Sequence, residues 1–374
     1  MGATLCLCAI VKNERADLPR CLASVRPHVD EMLVVDTGSE DGTPALAAAY
    51  GARVEHFVWC DDFAAARNYA LTQVRTDWVL VLDADEELVV EAAAWRLALE
   101  QEPLAYYLPL TDVGNPHNLT PLLVPRLFRT RSELRYVGAY HEQLCYQGGP
   151  LPEARVGTLG SLHLRHYGYS PERLQDKELR RNIPLLERLR ERQGLSFLLL
   201  YSLAGMYANT GQGDKAQGCY AEAGDRLLPY LLAGEPPPEF GYGPSLLFQL
   251  GVQALQAQDL ETARLLAQRG LEWCPRFPPL VYLAGATVRA LGFRRGAIAY
   301  FQHCLALGAT GEFDRREPFP ITTMTVSPAY DLGCLYLELG DLQAAQAAFE
   351  QALQFDPHCT PAQAQLQALR ARSG

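Results

Sequence analysis

Trp78-Val-Leu-Val-Leu-Asp83-Ala-Asp85-Glu86-Glu87 is the stretch on which the reading of this chain turns. An apolar run meets a cluster of four carboxylates, the pattern of a buried strand that ends at acids. Open α/β sheets bind ligands at the carboxyl ends of their strands. Asp83 and Asp85 are two apart, so an extended chain would point both the same way. Two carboxylates aimed at one spot call for a cation, and a hard ion such as Mg²⁺ or Mn²⁺, itself holding phosphates, suits them. The competing reading is a solvated acidic turn that leads into a helix.

The preceding residues alternate strand and helix. Leu5 to Val11 suits a buried first strand, and Leu18, Cys21, Leu22 and Val25 have helical spacing. Met32 to Val35 reads as a second strand ending at Asp36. Thr43-Pro44 reads as a helix start, an N-cap hydroxyl before a first-turn proline. Gly51 closes that helix, Val54 to Val58 gives a third strand, Phe63 to Val74 a helix, and Trp78 to Leu82 the fourth strand. This order predicts a Rossmann-like α/β domain with a mostly parallel sheet and right-handed crossovers.

The loops carry the polar residues. Asn13-Glu14 follows the first strand, and Asp36-Thr-Gly38-Ser-Glu-Asp41-Gly-Thr43 follows the second. An acid at the second strand end is where dinucleotide folds read a ribose. However, neither G-x-G-x-x-G nor G-x-x-x-x-G-K-[ST] is present, which excludes a dehydrogenase or P-loop enzyme by motif. Arg67 lies on the apolar stripe of its helix, between Phe63 and Leu71. A guanidinium there needs an anion: Asp36, Asp83 or a bound phosphate.

At this point the residues resemble a family. Ile10-Val-Lys-Asn13-Glu14, Asp30-Glu-Met-Leu-Val-Val-Asp36-Thr-Gly-Ser-Glu-Asp41-Gly-Thr43, Asp62-Phe-Ala-Ala-Ala-Arg67-Asn68 and Leu82-Asp83-Ala-Asp85-Glu86 look like a family 2 glycosyltransferase in order and spacing. The resemblance continues through Arg126-Leu-Phe-Arg129, Gly138-Ala-Tyr-His141-Glu142, His163, His166-Tyr-Gly-Tyr169, Lys177 and Arg181-Asn182. It points to the branch with bacterial β-glucosyltransferases of cell-envelope sugars and tetratricopeptide-bearing peptide S-glycosyltransferases. It implies a GT-A fold, a UDP-sugar or similar nucleotide-sugar donor, a divalent metal (Mg²⁺ or Mn²⁺) and inversion at the sugar carbon. It further implies that Asp36 and Asp83 hold base and ribose, with Asn13, Glu14, Gly38 and Arg67 around the donor nucleotide. Asp85 would hold the metal on the diphosphate. For the acceptor's base, Glu142 matches the family's His-Glu element and lies apart from the acids already assigned, with His141 to orient it or to contact a phosphate. An ion pair of Glu142 with one of Arg126, Arg129, Arg131 or Arg135 is the plain alternative, and Glu86, Glu87 and Asp112 are the other base candidates.

His141-Glu142 is not a zinc motif, because Cys145 stands where H-E-x-x-H needs its second histidine. The arginines from 126 to 135 read either as a solvated basic face or as charge balance for an anionic ligand. The net charge of −10, from 33 basic and 43 acidic residues, argues against nucleic acid as a partner. No apolar run is long enough to span a bilayer, and no signal peptide opens the chain. Ten scattered cysteines in apolar patterns read as reduced. The expected location is cytoplasmic, or peripheral to the inner membrane face.

After Tyr169 only helical spacing remains. Leu332-Gly333, Tyr336, Gly340, Ala345, Phe349, Ala352 and Pro357 match the tetratricopeptide pattern. Similar positions recur at Ala204 to Tyr220, at Gly251 to Pro275 and at Gly285 to Phe301, with insertions at Pro229 to Pro244 and Thr310 to Pro328. Small residues would let paired helices approach, and the aromatic would fill the gap. The expected architecture is therefore a GT-A-like catalytic domain over 1–170, a helical connector over 171–195 and an all-α tetratricopeptide solenoid over 196–374 with about four repeats. The expected function is glycosyl transfer to an acceptor (a glycan, lipid-linked sugar or peptide side chain), with the repeats positioning acceptor or protein partner, or self-associating. A non-catalytic tetratricopeptide scaffold and a nucleotidyltransferase are the other two readings.

Overall fold

The computed structural model describes residues 2–114, 122–168, 171–238, 240–315 and 317–373. Tyr169 and Glu239 therefore lie outside the described residues. Residues up to Leu189 form one compact unit, and residues from Arg190 form a second.

The first unit begins β1 (Leu5–Val11), α1 (Leu18–Val25), β2 (Glu31–Asp36), α2 (Thr43–Ala49), β3 (Arg53–His56), α3 (Phe63–Gln73) and β4 (Trp78–Val81). The strands pair in parallel in the order β3-β2-β1-β4. Period-two alternation explains the layers. Leu5, Leu7, Ala9 and Val11 pack on one face with Leu18, Leu22 and Val25 of α1 and Ala47 of α2. Cys6 and Cys8 turn to the other face, with Ala64 and Ala70 of α3. Asp62 caps α3, its carboxylate accepting from the Ala65 amide at 2.8 Å.

Beyond β4 the parallel pattern gives way to a mixed one. The chain continues β5 (Glu86–Val90), β6 (Ala105–Asp112), β7 (Leu122–Arg129), β8 (Leu134–Val137), β9 (Gln143–Tyr146), β10 (Val156–Thr158) and β11 (Leu162–His166). β7 pairs antiparallel with both β4 and β6, β11 runs parallel to β6, and β5 closes antiparallel on β11. β8 and β9 form a separate hairpin whose Leu134, Tyr136 and Leu144 join the α3 layer.

Four local expectations need correction. The acids after β4 do not start a helix: Glu86 and Glu87 open strand β5. Asp83-Ala-Asp85 is not extended either, because the Glu86 amide donates to the Asp83 carbonyl at 3.0 Å and closes a turn. β3 stops at His56, leaving Val58 91% exposed. Thr43 does not cap α2; Gly42 holds that position with φ +86, and the buried Thr43 hydroxyl donates to Asp41.

The chain passes through α4 (Pro171–Lys177), a π-helical turn (Glu178–Asn182) and α5 (Ile183–Gln193). The second unit is helical: α6 (Phe197–Asn209) with α7 (Gly213–Ala233), α8 (Gly243–Gln256) with α9 (Leu260–Trp273), α10 (Pro278–Ala290) with α11 (Arg294–Thr310), α12 (Val326–Leu339) with α13 (Leu342–Phe355), and a final α14 (Thr360–Ser373). The glycines work by close approach. A Cβ on Gly285 would come within 2.7 Å of the Phe301 ring, and one on Gly333 would enter the Phe349 ring. One expected insertion is partly helix instead: α7 continues through Pro229 to Ala233, and Gly234 ends it with φ +86. The other holds a 3₁₀ turn, Ile321–Met324. Among the described residues no helix is long and apolar enough to cross a membrane.

Candidate active site

The parallel strands deliver their loops to one edge of the sheet, and those loops are tied to one another. After β1, Asn13 adopts φ +56, donates its amide to Ser39 Oγ (2.8 Å) and accepts from the Glu40 amide (2.8 Å). The Glu14 amide donates to Thr43 Oγ1 at 3.0 Å. Asp36, at the end of β2, is buried and accepts from the Gly38 and Ser39 amides at 3.1 Å each. Gly38 holds φ +105, with open space where a Cβ would stand.

A network of buried charges occupies the end of β4. Arg67 donates from Nη2 to Asp83 Oδ1 (2.7 Å) and from Nε to Glu142 Oε1 (2.5 Å). Arg126 Nη2 donates to Asp83 Oδ2 (2.7 Å) and Glu86 Oε1 (2.6 Å), while Glu86 Oε2 accepts from the Asp83 amide (2.9 Å). Burial works to raise the Asp83 carboxyl, but Arg126 and Arg67 outweigh it and hold that group well below the usual carboxylate range. Burial and the neighbouring Asp83 push Glu86 up against the pull of Arg126. Asp83 is the open member: its side chain keeps 36% of its surface, against 7% for Arg67 and 1% for Glu86.

Backbone register aims these side chains. β7 carries an irregularity in which Tyr106 faces Leu127 and Tyr107 faces Pro125, so Arg126 is the extra residue. Such bulges redirect a side chain at a sheet end. Glu142 is placed by the loop between β8 and β9. The Phe63 amide donates to Ala139, and Asn68 exchanges two hydrogen bonds with the Tyr136 backbone at 2.8 and 2.9 Å. That clamp sets Glu142 against Arg67. His141, at φ +53, is pushed by burial toward its neutral form, against the opposing charge of Glu142.

Asp85 belongs to a different group. It turns away from the arginines, with Lys177 Nζ 3.2 Å from Oδ2 and His166 Nε2 3.6 Å from Oδ1. Gly168 packs here: a Cβ on it would overlap Asp85 Oδ2 and lie 2.7 Å from His166 Nε2. Burial raises Glu14 to about 7, with Lys177 opposing and Asp85 adding to the rise. The expectation that Asp83 and Asp85 converge is therefore corrected, because the turn sends one to the arginines and the other to His166. As a test of metal fit, a carboxylate oxygen and an imidazole nitrogen 3.6 Å apart can share one divalent ion. The described residues hold no cluster of three metal-binding side chains, so phosphate oxygens and water would complete the coordination.

The arginine cluster read from the sequence is dispersed. Arg126 enters the site, whereas Arg129 donates to the Gln101 and Pro103 carbonyls and covers the Trp78 ring. Glu142 does form an ion pair, but with Arg67 rather than with that cluster. Asn68, Gly168 and the cationic side of Lys177 were not picked out as site residues, whereas Glu86 was read only as an alternative base and Arg126 only as one member of a basic cluster. Only their place in the quoted motifs pointed to them.

Residues 6–93 match the model of glycosyl transferase family 2, and residues 327–359 match a tetratricopeptide repeat. A TPR repeat-containing protein of Synechococcus elongatus is 36% identical over 267 residues, 70% of this chain and 64% of that protein. The SPbeta prophage-derived glycosyltransferase SunS of Bacillus subtilis is 28% identical over 188 residues, 48% of this chain and 43% of SunS. Among solved structures, S. aureus TarS aligns over 70% of this chain and 54% of its own with 16% identity and a TM-score of 0.37. The chain thus spans under two thirds of the curated relatives named here. The glycosyl transferase family 2 match falls in the unit that holds the acid cluster, and the tetratricopeptide match falls in the helical unit.

Proposed function

We infer that the first unit transfers a sugar, with inversion, from a UDP-sugar or similar donor to an acceptor nucleophile. The observation that carries this is Asp83, pinned by Arg67 and Arg126 at the end of β4 yet still partly open, one turn from the Asp85–His166 pair. In this reading Asp36 and Asp83 accept hydrogen bonds from the base and ribose, with Asn13, Glu14 and Gly38 shaping the loop edge. Asp85 and His166 hold a divalent cation, which supplies positive charge to the departing diphosphate. Glu142 accepts the acceptor's proton as the acceptor atom bonds to the sugar carbon and the carbon–diphosphate bond breaks. Arg67 fixes its Oε1, and in this reading the other oxygen takes the proton. Glu86 cannot serve, since both its oxygens are engaged below a sealed surface. The repeats present a surface for the acceptor or a protein partner.

The test joins binding to turnover. UDP with Mn²⁺ at 100 times its dissociation constant should add about 2.7 kcal/mol of stability. Turnover should release free nucleoside diphosphate rather than pyrophosphate. Glu142→Gln should lower turnover by a factor on the order of 10² to 10⁴ with donor affinity nearly unchanged. Near-normal turnover in that variant would transfer the role to Glu87 or Asp112.

A further inference from the structure

Lys177 is the one member of the Asp85 group that a metal site does not explain. It lies 92 positions along the chain from Asp85, yet its ammonium sits 3.2 Å from Oδ2 while His166 approaches Oδ1. Both oxygens of the carboxylate thus already face a nitrogen. Gly168 closes on Oδ2 as well, since a Cβ there would overlap it. An arriving divalent cation must therefore compete with a charge the protein itself supplies.

The surroundings suit exchange. Lys177 ends α4, and the π-helical turn that follows is anchored by Glu178 and Asn182, both buried. π-helical turns recur at functional sites. The Lys177 side chain keeps 34% of its surface, so its tip is free to swing on a flexible four-carbon stem. A compact ammonium has two natural partners in such a site: a carboxylate before the donor arrives, and a diphosphate oxygen afterwards.

We propose that Lys177 is an exchangeable cation that occupies Asp85 until a divalent ion and a nucleoside diphosphate arrive together, and then pairs with the diphosphate. It weakens binding of the metal alone and couples metal binding to nucleotide binding. This rests on the reading of Asp85 and His166 as metal ligands.

Calorimetric titration of the full chain with Mn²⁺ alone, and with Mn²⁺ in saturating UDP, tests it. Lys177→Met should bind Mn²⁺ alone about tenfold more tightly than wild type, within the range usual for coupled sites. The gain in Mn²⁺ affinity that UDP confers on wild type should shrink by a similar factor in the variant. Lys177→Arg, which keeps a cation, should stay near wild type, and circular dichroism checks that each variant is folded. Unchanged or weaker binding of Mn²⁺ alone by Lys177→Met overturns the proposal, as does a wild type whose Mn²⁺ affinity is indifferent to UDP. Asp85→Asn separates the two readings. If Mn²⁺ binding survives it, the metal assignment itself fails; if binding is lost but Lys177→Met has no effect, only the exchange fails.

Discussion

Arg67 is the residue on which the site depends. It comes from an apolar helix face and is buried at 6% exposure, and it donates hydrogen bonds to carboxylates from separate elements. Its centre also lies 5.4 Å from the Tyr136 ring centroid, an arrangement that favours a cation. Among the described residues Nη1 is buried without a hydrogen-bond partner. The guanidinium is therefore held by charge more than by full hydrogen bonding. Arg67→Met should cost roughly 3–5 kcal/mol of stability, because it strands Glu142 and leaves Asp83 to Arg126 alone. Urea unfolding of the variant measures this. A variant as stable as wild type would show that the bridge contributes little to the fold.

At the scale of elements, the repeat hairpins depend on glycine for contact rather than for backbone freedom. Gly333 of α12 and Gly285 of α10 sit where a Cβ would meet the aromatic ring of the following helix. Ala is the better helix former by about 1 kcal/mol, so propensity and packing oppose each other here. Packing should win, since an added methyl against a fully buried ring costs about 1–3 kcal/mol. Gly333→Ala should therefore raise amide exchange in α12 and α13. Adding Phe349→Leu should restore part of the protection by making room. Equal exchange in Gly333→Ala and wild type would mean that the two helices can separate at no cost. The same logic explains Gly168, which lacks space for a side chain between Asp85 and His166.

For the molecule as a whole, the acids at the sheet edge pull the pH dependence of stability in opposite directions. Glu14 is raised to about 7 from an ordinary 4.5. Its contribution to stability is therefore fully present below about 4.5 and is lost as pH rises through 7. Asp83 is held low, so its contribution is present above the unfolded value and is lost as pH falls. Glu14→Gln mimics the protonated form. It should match wild type near pH 4.5 and become progressively more stable than wild type toward pH 8, as read by thermal unfolding across that range. A difference that stays flat with pH would show that Glu14 is not held in its neutral form. With a net charge of −10, the profile should be recorded at fixed ionic strength.

Short-range periodicity along the chain carries several elements directly. β1, α1 and α3 lie close to where alternation and helical spacing put them, and Asp36, Asp83 and Asp85 fall at the ends of the strands that precede them. Local pattern also sets the hairpins whose glycines face aromatic rings. Tertiary structure alone decided where the charges go. Asp83 and Asp85 part company because a turn, invisible to a two-residue spacing argument, separates them. Glu142 reaches Arg67 across 75 positions only because the loop between β8 and β9 docks on α3. Arg126 reaches Asp83 only because β7 gains a residue against β6, and Lys177 reaches Asp85 only from the far end of α4. Periodicity is a property of neighbours along the chain, whereas a buried charge must find its partner through register and loop docking, which no local pattern encodes.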